Sequence, residues 1–224
     1  MLRKFALISC LLCFSLSICA AVPKPHVILF GKTIAAKWPN ATGQELLDLK
    51  VRPLLVDARL KEYSTGIPHE LTDRLFVVRR AFRVNDTLPS ENASANSPRW
   101  QWQRGGWLLV DRATGHISQL NLPEFDSFYS SSAWYRDYIA YCGVSEDGKK
   151  LYAVVAQVGR RKPILKKDIG EPAGGDSPDS ECTPPTWERT PLRVTFLSND
   201  NQKLVFSIRG RVVDVVNDAE ESEE

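Results

Sequence analysis

The chain has 224 residues, of which 43% are hydrophobic and 25% are charged, and its formal net charge is +2. This is the composition of an ordinary globular protein, which excludes a chain that is disordered over most of its length. So small a net charge gives no electrostatic reason to expect nucleic-acid binding. The basic clusters over residues 79–83 and 160–167 also lack interleaved aromatic residues.

The first twenty residues predict an export signal. Two basic residues at positions 3 and 4 precede the apolar run Phe5–Ile18, and small residues follow it. An apolar run of about fourteen residues is too short for a bilayer, which needs about twenty. We therefore expect cleavage after Ala20 or Ala21 and an exported protein, periplasmic or secreted, with no transmembrane segment left. The alternative is a lipid-anchored form attached at Cys10.

The chain is therefore expected to have three parts. Residues 1–20 are the signal peptide, residues 21–217 form a single β-rich domain, and residues 218–224 form an acidic tail. The tail carries five acids and no base, a composition typical of a solvated, disordered segment.

Signal cleavage would leave two cysteines, Cys142 and Cys182. In an oxidising compartment this pair predicts one disulfide, which closes a loop around the stretch 168–185, rich in Pro, Gly and Asp. The alternative is two separate thiols. Two isolated cysteines without a close pair of further ligands do not match a zinc site, so we expect no metal.

Along the chain, short runs of β-branched, aromatic and aliphatic residues alternate with turn signals. The one helix that we expect is brief, over Gly43–Leu49, with the hydroxyl of Thr42 as its cap. Three hairpins follow, over residues 107–120, 138–158 and 204–216, which turn at Gly115, at Asp147-Gly148 and at Gly210.

The strand segments recur at a rough interval. They begin at Leu54, Leu108, Val154 and Val205, about fifty residues apart, which divides the chain into four units of two to four strands. Such a period is typical of β-propeller blades. We therefore expect an all-β fold, a small propeller-like array of about four antiparallel strand units. The alternatives are a β-sandwich or an irregular β-barrel.

Three segments carry a resemblance to known repeats. Residues 107–115, 132–140 and 146–152 together resemble blades of exported β-propeller repeat proteins of the WD40-like and TolB-like kind. The resemblance implies a propeller fold, which serves as a scaffold for both enzymes and binding proteins, so it implies no single function.

No catalytic set stands out in the sequence. There is no Gly-x-Ser-x-Gly elbow. The segment from His69 begins like a zinc-protease helix but has Asp73 where the second His should lie, and we predict no cofactor. An envelope or extracellular hydrolase, with a site assembled from separate loops around His69, Asp111 or His116, remains an alternative.

Three tryptophans lie close together at Trp100, Trp102 and Trp107, among arginines and glutamines. In a half-buried strand such residues form the core. Alternatively, they form a platform that stacks on a sugar ring or anchors a partner protein. We therefore predict an exported, non-catalytic binding or protein-interaction module with a protein or glycan partner. A structural subunit of an envelope assembly is a further alternative.

Overall fold

The computed structural model describes residues 24–39, 46–85, 100–172, 182–198, 202–210 and 212–216. These residues form fifteen β-strands in three antiparallel sheets, without a helix. The all-β prediction is therefore confirmed. The four-unit propeller is not, because the described residues form three sheets, none of which closes into a barrel. The predicted signal peptide and acidic tail lie outside the described residues.

The first sheet has seven strands. They are β1 (Ile28–Phe30), β2 (Ile34–Pro39), β3 (Leu46–Val56), β4 (Arg59–Glu70), β5 (Leu75–Asn85), β6 (Trp100–Asp111) and β7 (Ile117–Gln119). The order is β1-β3-β4-β5-β6-β7, and β2 pairs with the first half of the long strand β3. A bulge in β4 around Gly66 bends the sheet.

The predicted helix over Gly43–Leu49 is wrong for its described part, because residues 46–49 begin β3. The alternation explains this result: Leu49 and Val51 are buried, whereas Asp48 and Lys50 are exposed. That period of two is the pattern of a strand with one buried face. Residues 42–45, including the predicted cap, lie outside the described residues.

The other two sheets are four-stranded meanders. The middle sheet contains β8 (Ser132–Tyr135), β9 (Tyr138–Val144), β10 (Leu151–Gln157) and β11 (Leu165–Gly170). The third contains β12 (Thr186–Arg189), β13 (Leu192–Leu197), β14 (Lys203–Arg209) and β15 (Val212–Val216). All three predicted hairpins are confirmed, as the pairs β6–β7, β9–β10 and β14–β15.

The middle sheet is buried on both faces. Toward the first sheet, Ile139, Tyr141 and Val154 pack with Val77 and Trp107. The alternate positions of β9 and β10 pack against the third sheet. The buried residues of this contact are Ala140, Ala153, Val155, Val194, Phe196, Phe206 and Ile208. Burial on both sides explains why β9 and β10 are apolar almost throughout, since neither face needs polar side chains.

The predicted disulfide between Cys142 and Cys182 is confirmed. Both cysteines are buried against Leu151, and their Cα atoms are 6.4 Å apart. Because Cys142 lies in β9 and Cys182 shortly precedes β12, the bond ties the middle sheet to the start of the third.

Candidate functional site

The three predicted tryptophans all lie on β6 but in different environments. Trp100 is 58% exposed, Trp102 is half-buried and Trp107 is only 9% exposed. In the register with β5, Trp102 lies opposite Arg83 and Trp107 opposite Arg79. The register shifts between these pairs, so one extra residue in β6 keeps Trp102 and Trp107 on the same face of the sheet.

Trp107 belongs to the contact between the first and middle sheets. Its ring meets that of Trp134 edge-on, with centroids 5.2 Å apart. Val77 and Ile139 pack in the same cluster. A residue in this position stabilises the packing of two sheets and is not available to a partner.

Trp100 and Trp102 instead belong to a surface group that we call the aromatic ridge, composed of Tyr63, Arg83, Trp100 and Trp102. The guanidinium carbon of Arg83 lies 5.1 Å from the ring centroid of Trp102 and 6.0 Å from those of Tyr63 and Trp100. Cation–π contacts at such distances hold an arginine against aromatic faces.

The aromatic ridge packs against buried residues of the first sheet. Tyr63 and Trp102 meet edge-to-face, with centroids 5.0 Å apart and planes at 80°. Beneath them lies a cluster whose buried members are Trp38, Leu49, Val51 and Ala81. The exposed indole of Trp100 therefore projects from a packed part of the first sheet and not from a loop.

A second candidate site lies where one hairpin of each sheet meets the others. We call it the hairpin cleft. Its lining residues are His69 and Glu70 from the end of β4, Trp134, Tyr135 and Arg136 from the β8–β9 hairpin, and Arg189 and Thr190 from the β12–β13 hairpin. The cleft has a volume of about 570 Å³, which lies within the range of small-molecule sites.

Aromatic rings and hydrogen bonds fix the walls of the cleft. The His69 ring stacks on Trp134, with centroids 5.4 Å apart, and its Nε2–H donates to the carbonyl oxygen of Arg136 at 2.7 Å. On the other side, Trp187 of β12 stacks on Tyr135 and donates its indole N–H to the carbonyl oxygen of Ala133 at 3.1 Å. These contacts join all three sheets at the cleft.

Two carboxylates near the cleft are bound by arginines. Arg112 donates two 2.7 Å hydrogen bonds to Glu70, and the pKa of Glu70 is lowered mainly by that contact. Arg74 donates two hydrogen bonds to Asp111, from Nε at 2.7 Å and from Nη2, and holds the pKa of Asp111 well below its usual range. Carboxylates held in this way are weak bases.

The residues proposed for a hydrolase do not form one hydrogen-bonded set within the described ranges. His69 contacts the β8–β9 turn, and Asp111 is bound by Arg74. His116 contacts Asp111 through its backbone only, where its carbonyl oxygen accepts from the Asp111 amide. The third histidine, His26, lies beside the β6–β7 turn at Gly115, and its ring pairs with Asp57 just after the end of β3.

Arg136 and Arg189 were not predicted from the sequence as site residues. Neither arginine belongs to a basic cluster in the sequence, so nothing there marks it as a binding residue. Only the convergence of the β8–β9 and β12–β13 turns brings the two arginines to one cleft. The turn signals around them, Arg136-Asp137 and Thr190-Pro191, mark the hairpins but not that convergence.

Neither a metal site nor a membrane span is found in the described part of the chain. Within those ranges, no three or more His, Cys, Asp or Glu side chains gather as metal ligands would. The same ranges contain no helix with the length and apolar character needed to cross a bilayer.

No protein-family model matches this chain, and no curated protein or solved structure is significantly similar to it. The resemblance to propeller repeat proteins therefore stays a prediction from the sequence.

Proposed function

We propose that this protein is an exported, non-catalytic module that binds a partner protein through the aromatic ridge. The observation that carries the proposal is Trp100, a tryptophan that is 58% exposed on a β-strand. A large indole left in water costs hydrophobic free energy that burial against a partner would recover.

The composition of the ridge favours a protein as the partner. Tryptophan, tyrosine and arginine are the residues most enriched at the energetic centres of protein interfaces. Trp102 is held edge-on by Tyr63, and Arg83 lies against all three rings. Because these side chains are already ordered, binding would lose little conformational entropy.

A non-catalytic role agrees with the ion pairs formed by the two carboxylates near the cleft. Glu70 and Asp111 are each paired with an arginine, which lowers the pKa of their carboxyl groups and makes them poor general bases near neutral pH. The proposal includes the finer architecture, a propeller-like array in which each sheet presents one hairpin, β4–β5, β8–β9 or β12–β13, to a common centre. The meeting of three such hairpins at one cleft supports that arrangement.

Site-specific photo-crosslinking in the native host tests this function. The photoreactive residue p-benzoylphenylalanine replaces Trp100, and in a matched control it replaces Val212, which is 57% exposed on the third sheet. We expect one defined protein to be crosslinked from position 100 and not from position 212.

Two results would contradict the proposal. One is the same protein crosslinked equally from both positions, which would indicate non-specific contact. The other is no crosslink from position 100 together with binding of the wild-type protein, but not of Trp100→Ala, to an immobilised glycan, which would replace the protein partner with a sugar.

A further inference from the structure

We infer that the hairpin cleft binds an oxyanion group, a carboxylate, sulfate or phosphate, through the guanidiniums of Arg136 and Arg189. This site is separate from the aromatic ridge, and partner binding at the ridge does not depend on it. Three observations carry the inference: the charge of the cleft, the backbone at Arg136 and the order of the walls.

The first observation is an excess of positive charge. Of the charged lining residues, Arg136, Arg189 and Glu70, only Glu70 is negative, and both of its oxygens are bound by Arg112. Among the described residues, no carboxylate forms an ion pair with Arg136 or Arg189. Two exposed guanidiniums thus face one cleft without a counterion from those residues.

The neighbouring acids do not change this balance. The carboxylate of Asp137, next to Arg136, does not line the cleft and accepts a 2.7 Å hydrogen bond from Gln157. Glu188 precedes Arg189 on β12, and successive strand residues point to opposite faces, so Glu188 lies on the face away from Arg189. The cleft therefore keeps its positive character.

The second observation is the backbone of Arg136. Its φ is +52°, in the left-handed region that favours glycine, and it occupies the first position of the two-residue turn between Tyr135 and Tyr138. A side chain at such a position is unfavourable relative to glycine. Strained non-glycine residues of this kind concentrate at ligand sites, where the side chain has a use.

The third observation is that contacts in the walls fix the backbone at both arginines. The carbonyl oxygen of Arg136 accepts from His69, and its guanidinium carbon lies 5.4 Å from the Tyr135 ring centroid. Arg189 ends β12, which Trp187 joins to β8. Guanidiniums donate forked, charge-assisted hydrogen bonds to planar or tetrahedral oxyanions, and order in the site strengthens that recognition.

Calorimetric titration of the purified protein at low salt tests the site. Three probes distinguish the possible sources of the oxyanion: digalacturonate for a carboxylate, a sulfated heparin disaccharide for a sulfate, and inorganic phosphate. We expect at least one to bind and its affinity to fall as sodium chloride is added, since the contacts are between charges.

Three variants give the decisive comparison. Arg136→Gly and Arg189→Gln should each weaken the binding probe about tenfold or more, as the loss of a charge-assisted hydrogen bond implies. Arg160→Gln removes an equal charge from an exposed position outside the cleft and should change affinity less than about twofold. Because glycine suits the Arg136 backbone, the first variant should unfold at a denaturant concentration no lower than wild type.

The inference is overturned if none of the three probes binds. It is also overturned if Arg160→Gln weakens binding as much as the cleft variants, which would indicate general charge attraction, or if folded Arg136→Gly binds like wild type.

Discussion

At the scale of single residues, two glycines show how much a turn depends on its surroundings. Gly115 and Gly148 both have positive φ, at 64° and 70°. A Cβ at Gly115 would lie 2.8 Å from a methyl carbon of Val56 and 2.9 Å from the His26 ring, whereas at Gly148 it would meet nothing within 4 Å. The β6–β7 turn therefore packs closely against the start of β1 and the end of β3.

This difference gives the first prediction. Gly148→Ala should cost about 1 kcal/mol of unfolding free energy from the backbone alone. Gly115→Ala should cost about 1–3 kcal/mol more, because the methyl group also displaces Val56 and His26. Urea denaturation of both variants measures the two costs, and equal costs would mean that the turn does not pack as described.

The second prediction concerns Asp111 and acid. Its pKa is lowered in the folded protein by Arg74, so its contribution to stability is complete above about pH 5 and is lost as the pH falls toward the folded-state pKa. Asp111→Asn should therefore be less stable than wild type at pH 7, and the gap should narrow steadily below about pH 5.

Denaturation curves at several pH values measure this gap. Asp214→Asn, which removes an exposed carboxylate from the third sheet, serves as the control and should follow wild type throughout. A gap for Asp111→Asn that stays constant down to about pH 2 would show that its carboxylate charge contributes nothing.

At the scale of elements, turn chemistry and period decided what the sequence could predict. The β9–β10 hairpin was predictable because Asp147-Gly148 separates two apolar runs, and Ser145 and Asp147 cap the turn by accepting from the Lys149 amide. The start of β3 was not, because a short segment after a capping residue fits a helix as well as a strand. Only the pairing of this segment with β2 decides between them.

The disulfide gives the prediction at this scale. It joins residues separated by 40 positions, and the loop-entropy model gives about 3–4 kcal/mol of stabilisation for a loop of that size. Replacing Cys142 and Cys182 together by alanine should lower the free energy of unfolding by about that amount.

The reduced wild-type protein is the control for the disulfide. It should match the double variant, and the reducing agent should leave the double variant unchanged. A wild-type protein whose denaturation midpoint does not respond to the reducing agent would contradict the bond between Cys142 and Cys182.

At the scale of the whole molecule, the layering decides where the candidate sites lie. The sequence predicted the β9–β10 hairpin, but not that the first and third sheets cover its two faces, since packing between sheets leaves no periodic signal in one strand. The hairpin cleft could not be predicted from the sequence for the same reason. His69, Arg136 and Arg189 are far apart in the chain and come together only when the three sheets pack. Trp100 and Trp102 were predictable as a pair because they share one strand.

The layering predicts very different losses of stability for the replacement of two tryptophans of β6. Trp107→Ala removes a ring from between the first and middle sheets and should cost about 3–5 kcal/mol of unfolding free energy. Trp100→Ala should change stability by less than about 0.5 kcal/mol, because its ring is mostly in water. Similar costs for both variants would contradict the different burial of the two rings.

The most direct test of the account is the affinity of the partner identified by crosslinking for three forms of the purified protein: wild type, Trp100→Ala and the control Val212→Ala. If the aromatic ridge is the binding surface, Trp100→Ala should lose about 2 kcal/mol or more of binding free energy, roughly thirtyfold in Kd, whereas Val212→Ala should stay within about twofold of wild type. A Kd for Trp100→Ala equal to that of wild type would contradict the ridge as the site and the function proposed from it.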